Sequence, residues 1–301
     1  MTFPQLYDIY HRHPVVTTDT RNCPDGSLFF ALRGEKFDGN AFALDALAKG
    51  CAYAVVDDAE VAAKDKRCLF VDDVLSTLQE LAAHHRRVLD TPVLQITGTN
   101  GKTTTKELVA AVLGEKFNVL YTEGNLNNHI GVPLTLLRLR PEHDFAVIET
   151  GANHPGEIAQ LSKIVQPNCG LITNVGKAHL EGFGSFEGVV KTKTELYRYL
   201  AQRNTELTET LITGETRFKP DAVPYFVFVN GDNELLTPHV AECGLPSLSY
   251  GSPGHDYTIE GEVLECAPFL TLRWRKKDGA WHKVNTQLVG AYNIDNVLAA
   301  V

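Results

Sequence analysis

Residues 96–105, Ile-Thr-Gly-Thr-Asn-Gly-Lys-Thr-Thr-Thr, set two glycines and a lysine between an apolar run and a stretch of helical spacing. Few local patterns restrict a fold as strongly. The run at 92–96 reads as a short buried strand, and residues 106–113 carry apolar side chains at helical intervals. Gly98 and Gly101 let the backbone turn tightly, so that successive N–H groups face an anion at the positive end of the helix. Lys102 then reaches the terminal phosphates of a nucleotide, and the Thr103 hydroxyl reaches Mg2+. The strict form of such a phosphate loop has glycine where Ile96 stands, so this is a shortened variant. Its binding residues are Gly98, Thr99, Asn100, Gly101, Lys102, Thr103 and Thr104, and ATP is the expected ligand.

The 301 residues suffice for two domains with their own cores, and 44% apolar with 22% charged content is that of a soluble globular protein. A net charge of -9 argues against a surface that coats nucleic acid. Cys23, Cys51, Cys68, Cys169, Cys243 and Cys266 show no paired spacing, which points to reduced thiols rather than zinc or disulfides. The first residues lack a basic stretch followed by an apolar core, and no run nears the roughly 18 apolar residues of a membrane span. A cytoplasmic location is expected. The oligomeric state is left open, with a monomer the simplest expectation.

Along the chain, residues 28–32 read as a strand flanked by turn residues, 41–49 as a helix, 52–56 and 68–71 as strands, and 74–89 as a helix that ends before Pro92. That is a small α/β domain over residues 1–90. The second domain, 91–301, alternates strands and helices: a strand at 119–121, a helix at 128–139, a strand at 145–149, a helix at 157–164, a strand at 170–173 and a helix from about 186 to 200. Such alternation implies a mainly parallel sheet with helices on both faces and a ligand at the carboxyl ends of the strands. Glu149, Asn174 and His179 fall at those ends. Residues 201–224 carry no motif, 225–229 read as a strand, 257–277 as a hairpin, and 293–300 open a helix.

Three further groups are candidates for handling metal and charge. Glu149 closes the apolar run 145–148, where a carboxylate is otherwise costly. His179 lies in a glycine-bounded loop, and Lys191 and Lys193 precede Glu195 on one helix. Taken singly, each also fits an ordinary role: a solvent-facing strand end, a structural histidine, a charged helix face.

Taken together with the loop, the sequence resembles the Mur ligases, ATP-dependent enzymes that add amino acids or a dipeptide to UDP-linked muramic acid. The resemblance is carried by Gly98-Thr-Asn-Gly-Lys-Thr-Thr104, Gly124-Asn-Leu-Asn-Asn-His-Ile-Gly-Val-Pro133, Glu149-Thr-Gly-Ala-Asn-His-Pro-Gly-Glu157, Ala178-His-Leu-Glu-Gly-Phe-Gly184 and the asparagine pair Asn293 and Asn296 before Ala299-Ala300. Asp19-Thr-Arg21 with Leu28-Phe-Phe-Ala-Leu32 adds the N-terminal signature of the tripeptide-stage and dipeptide-stage members. The Gly-Ala-Asn-His stretch points to the member that adds D-Ala-D-Ala to UDP-N-acetylmuramoyl-tripeptide.

The resemblance implies an acyl-phosphate mechanism with Lys102, Glu149, His179 and Lys193 as catalytic residues. Thr103 would hold one Mg2+; Glu149 and His179 would hold a second, joined by Lys193 as a carbamylated lysine, with Lys191 as the other choice. Asn293 and Asn296 would contact adenine, and Asn127 and Asn128 the muramoyl substrate. Thr20, Arg21 and the 34–40 loop with Asn40 would seat the UDP moiety in the first domain. Relatives at the tripeptide stage, folylpolyglutamate-type ligases and a non-catalytic nucleotide-binding module are the competing readings. Family members continue into the remainder of the ATPase domain and a third, Rossmann-like domain. The resemblance therefore implies a C-terminally truncated chain that binds the UDP-linked precursor, binds ATP weakly and forms no amide bond at a useful rate.

Overall fold

The computed structural model describes residues 1–176, 180–213 and 224–301, and of residues 180–181 and 208–213 the backbone alone. These residues form two compact units. The first comprises Met1–Asp90 with His129–Pro141, and the second Thr91–Asn128 with Glu142–Val301.

In the first unit, strands β1 (Val16–Thr17), β2 (Leu28–Phe30), β5 (Tyr53–Val56) and β6 (Cys68–Phe70) make a parallel sheet in the order β1-β2-β5-β6. Between β2 and β5 lies the hairpin of β3 (Arg33–Gly34) and β4 (Phe37–Asp38). Phe29, Ala31, Ala46, Leu47, Ala54 and Val56 form one core of this unit. The helix Val74–Leu89 starts on Asp73, whose carboxylate accepts the Ser76 N–H, and stops at Asp90 in the left-handed region. A helix at Phe3–Arg12, which the sequence pattern did not mark, buries Leu6 and Tyr10.

Residues 129–141, read from the sequence as part of the second domain, fold with the first. The expected helix over 128–139 is confined to Gly131–Leu136. Tyr10 donates its hydroxyl proton to the Leu137 carbonyl at 2.6 Å, and a His85 ring nitrogen lies 2.9 Å from the Leu139 carbonyl. These long-range bonds, with buried Val132, Leu136, Leu137 and Leu139, decide the placement.

The second unit is a nine-stranded sheet in the order β15-β14-β13-β12-β11-β10-β7-β9-β8. Its strands are β7 (Val93–Thr97), β8 (Val119–Tyr121), β9 (Phe145–Glu149), β10 (Cys169–Ile172), β11 (Phe226–Asn230), β12 (Ser247–Gly251), β13 (Ile259–Cys266), β14 (Phe269–Lys276) and β15 (His282–Val289). Neighbours from β8 to β13 pair in parallel, as the alternation implied. The hairpin β13–β14 gains a third strand, β15, and extends the same sheet in antiparallel fashion.

Helices cover both faces. The helices Lys102–Gly114 and Asn293–Ala300 pack on one side through Val109, Val297 and Leu298 over Leu94, Ile96 and Val147. The helices Glu157–Val165 and Glu195–Thr213 pack on the other through Ile158, Leu196, Tyr197 and Leu200. Each fully buried aliphatic side chain contributes about 1.5–3 kcal/mol. The helix expected from about 186 to 200 is two, Phe186–Lys193 and Glu195–Thr213, meeting at Thr194. Among the described residues no helix is long and apolar enough to cross a membrane.

Candidate active site

The strand order sets β7 between β9 and β10, so the loop after β7 emerges where the chain crosses from one side of the sheet to the other. Glu149 ends β9, and Thr173-Asn174 follows β10. All three carboxyl ends therefore meet at residues 98–101.

The loop is held by the end of β10. The Thr99 N–H donates to the Asn174 carbonyl at 3.0 Å, and the Asn100 N–H to the Asn174 side-chain oxygen at 3.0 Å. The Thr173 hydroxyl donates to the Asn100 carbonyl at 2.6 Å. Gly98 has φ +146°, and a Cβ there would sit 2.0 Å from the Thr173 hydroxyl oxygen. Only glycine fits. Gly101 caps the helix at φ +77°, where a Cβ would lie 2.6 Å from the Asn296 side-chain oxygen. The first backbone bond of the helix runs from the Thr105 N–H to the Gly101 carbonyl at 2.8 Å, so the N–H groups of Lys102, Thr103 and Thr104 precede the ladder. The N–H groups of Thr99 and Asn100 are engaged by Asn174, which leaves the helix-start groups as the candidates for binding an anion. Thr173 and Asn174 are thus functional supports; only the strand-end position of Asn174 was visible in the sequence.

Glu149 is 1% exposed and gripped on three sides. The Thr103 hydroxyl donates to one carboxylate oxygen at 3.0 Å, the Asn127 amide donates to the other at 2.8 Å, and the Glu149 N–H donates to the Thr122 hydroxyl at 2.9 Å. A hydroxyl and a carboxylate converging at a strand end are hard oxygen donors of the kind Mg2+ takes. Asn128 is exposed beside Asn127.

A cavity of about 80 Å³ opens here, lined by Gly98, Thr99, Lys102, Asn127, Phe183 and Lys193 among others. Lys102 donates to the Thr99 carbonyl at 3.1 Å. Burial lowers its pKa, opposed by the charge of Glu149. Lys193 is 3% exposed, with its ammonium 5.7 Å from the centre of the Phe183 ring. Burial brings its pKa down to about 8, the Lys102 charge adds to the fall, and Glu157 and Glu195 act against it. Lys191, two positions earlier, is exposed. Half-buried Lys102 and buried Lys193 face one small polar cavity, an arrangement that suits an anion. Glu195 accepts the N–H groups of Gly156 and Ala159 at 2.9 Å each and caps the neighbouring helix. His179 lies outside the described residues.

Two groups of expected ligand contacts are hydrogen-bonded within the protein. Asn296 accepts from the Thr105 hydroxyl at 3.0 Å and donates to Asn293 at 2.8 Å, while Asn293 donates to the Val289 carbonyl at 2.9 Å. Both are buried, and Asn296 ties the 293–300 helix to the loop helix through Thr105. Asn40 is likewise spent internally. Its amide nitrogen donates to Asp38 and Asp57 at 2.8 and 2.7 Å, and its oxygen accepts the Asp57 N–H at 3.1 Å. In that unit Thr20 offers its carbonyl to Lys49, and Arg21 projects into solvent against Asp19 at 2.6 Å.

The family described as Mur ligase middle domain matches residues 96–301, and the one described as Mur ligase family, catalytic domain, matches residues 14–86. The chain belongs to the Mur ligase family. It is 38% identical over 296 residues to the UDP-N-acetylmuramoyl-tripeptide--D-alanyl-D-alanine ligase of Haemophilus influenzae, covering 95% of this chain and 58% of that protein. To the enzyme of the same name from Escherichia coli it is 49% identical over 210 residues, 67% of this chain and 46% of that one. Among solved Mur ligase structures, MurF from Acinetobacter baumannii superposes with a TM-score of 0.79 at 31% identity, covering 99% of this chain and 63% of that one. MurF from Thermotoga maritima in complex with ADP gives 0.77 at 26% identity, over 95% and 61%. The matches thus span 46% to 63% of the length of these relatives.

Proposed function

We propose that this chain carries the nucleotide site and the UDP-precursor site of a cytoplasmic ligase of peptidoglycan precursor synthesis, joining D-Ala-D-Ala to UDP-N-acetylmuramoyl-tripeptide at the expense of ATP. The observation that carries the reading is a cavity beside the phosphate loop lined by Lys102, Lys193 and Asn127, with Asn127 holding the Glu149 carboxylate that Thr103 also meets. The relatives' names supply the substrates, and the ADP in one of them supports the nucleotide.

In this reading the precursor carboxylate attacks the γ-phosphorus of ATP; an oxygen–phosphorus bond forms, the bond to the β-phosphate oxygen breaks, and ADP leaves. The amine of D-Ala-D-Ala then attacks the acyl carbon, loses a proton and expels inorganic phosphate. Lys102 offsets the phosphate charge through both steps. Thr103, Glu149, His179 and carbamylated Lys193 would hold Mg2+, which supplies charge neutralisation at the transferred phosphoryl group. Carbamylation needs a neutral amine, which adds to CO2 with loss of a proton. At about 8, the Lys193 amine is neutral in roughly one molecule in ten at pH 7, against roughly one in a few thousand for an ordinary lysine. Asn127 orients Glu149 from the substrate side, and Thr20 with Arg21 would meet the UDP moiety in the first unit.

The test is phosphate release by the protein at the full length of its relatives, with ATP, Mg2+ and the tripeptide precursor under a panel of amines. D-Ala-D-Ala alone should stimulate it. Stimulation by a diamino acid or by glutamate in its place would assign the chain to another stage of the family.

A further inference from the structure

Lys106 has no part in the reaction just described, yet its side chain is fully buried. Taking an ammonium out of water costs several kcal/mol unless partners replace the lost hydration. Here they are the Thr122 carbonyl at 2.6 Å, a Glu107 carboxylate oxygen at 2.8 Å and the Tyr121 ring, centred 5.7 Å away.

The Thr122 partner gives this cation a particular position. Strand β8 ends at Tyr121, one residue before Thr122, and the Thr122 N–H still donates to the Val147 carbonyl of β9 at 3.1 Å. Beyond that point β8 offers no carbonyl to β9. The last N–H of β9, that of Glu149, goes instead to the Thr122 hydroxyl at 2.9 Å. Thr122 has also turned its carbonyl out of the ladder, and Lys106 takes it. Lys106 and Thr103 are three residues apart on one helix and share a face. The loop helix therefore reaches Glu149 twice, directly through the Thr103 hydroxyl and indirectly through Lys106 and Thr122.

We propose that Lys106 is a positioning residue for Glu149, fixing through Thr122 the strand end from which the carboxylate meets the metal-bound nucleotide. The inference rests on the reading of Glu149 as a metal ligand, but its first test does not. Hydrogen exchange of the metal-free chain reads the Glu149 amide directly. Lys106→Met keeps the length and apolar stem of the side chain and removes the charge. Protection at Glu149 should fall at least tenfold, while β10, which flanks β7 on its other side, keeps its own. Thr122→Val keeps the carbonyl that Lys106 needs and removes the hydroxyl that Glu149 needs, so it should reproduce the loss at Glu149 with Lys106 in place.

The second readout is the gain in affinity for a non-hydrolysable ATP analogue when Mg2+ is added. Both variants should lose most of that gain and keep the affinity measured in EDTA. If Glu149→Gln keeps the gain, the metal-ligand reading of Glu149 fails whatever Lys106 does. If Glu149→Gln loses it while Lys106→Met keeps it, with unchanged exchange at Glu149, Lys106 is a structural cation only and the proposal is overturned, whatever Thr122→Val does. If Lys106→Met does not fold, Lys106→Leu, which also removes the donor to the Thr122 carbonyl, decides between the same two outcomes.

Discussion

Replacing Asn296 by alanine separates the two roles available to that side chain. Its amide bridges the Thr105 hydroxyl at 3.0 Å and the Asn293 oxygen at 2.8 Å, in a place where Asn296 is 7% exposed and Thr105 is fully buried. Truncation removes two hydrogen bonds, each with a net contribution of about 1 kcal/mol, and leaves buried partners unsatisfied at about 1–3 kcal/mol each. Asn296→Ala should therefore destabilise the second unit by about 2–4 kcal/mol. Thr105→Val should cost less, and the double variant should fall short of the sum by about 1 kcal/mol because the two side chains share one bond. Trp274 and Trp281, the chain's two tryptophans, both lie in the second unit, so urea unfolding followed by their fluorescence reads the affected part. A loss below about 0.5 kcal/mol, combined with weakened binding of adenine nucleotides but not of tripolyphosphate, would refute the tie and make Asn296 a contact to the base.

Gly98→Ala should abolish nucleotide binding while the far-UV spectrum stays native, because the new Cβ would meet the Thr173 oxygen at 2.0 Å and the loop must move; wild-type affinity would remove the loop from the site. The first unit should lose stability in mild acid. Burial holds His85 below the usual imidazole range, offset by its bond to the Leu139 carbonyl, with Arg140, His11 and His84 adding to the fall. The unfolded chain therefore takes up the proton first, at about pH 6.5. The contribution of neutral His85 is whole above that pH and is lost as the pH falls through the lower folded value. Thermal melting from pH 7.5 to 5 should drop less steeply in His85→Gln than in the wild type; equal slopes would show that His85 is not a source of the acid sensitivity.

The phosphate loop was legible because its chemistry is local: Gly98, Gly101, Lys102 and Thr103 are fixed by the turn they must make and the anion they must meet. The carboxyl-end location of Glu149 followed from alternation alone. Packing over long range was not legible. Residues 129–141 carry the apolar pattern of a helix in either unit, and only the bonds from Tyr10 and His85 to Leu137 and Leu139 assign them to the first. Asn293 and Asn296 read as ligand contacts because an asparagine amide suits a base edge and a buried clasp equally well, and spacing does not distinguish them. Lys191 and Lys193 are both plausible from sequence, since the difference lies in which side of one helical turn faces the cavity. The break at Thr194 was hidden because threonine is compatible with helix on both sides of it.

The central claim is that the loop after β7 is the nucleotide site of a ligase. It is met most directly by titrating the chain with a non-hydrolysable ATP analogue, with and without Mg2+, beside Lys102→Ala. Wild type should bind, weakly and more tightly with Mg2+, and Lys102→Ala should lose at least tenfold, about 1.4 kcal/mol or more, because Lys102 is the loop's own cation facing the phosphates. Equal affinity in the two proteins, or binding indifferent to Mg2+, would contradict it.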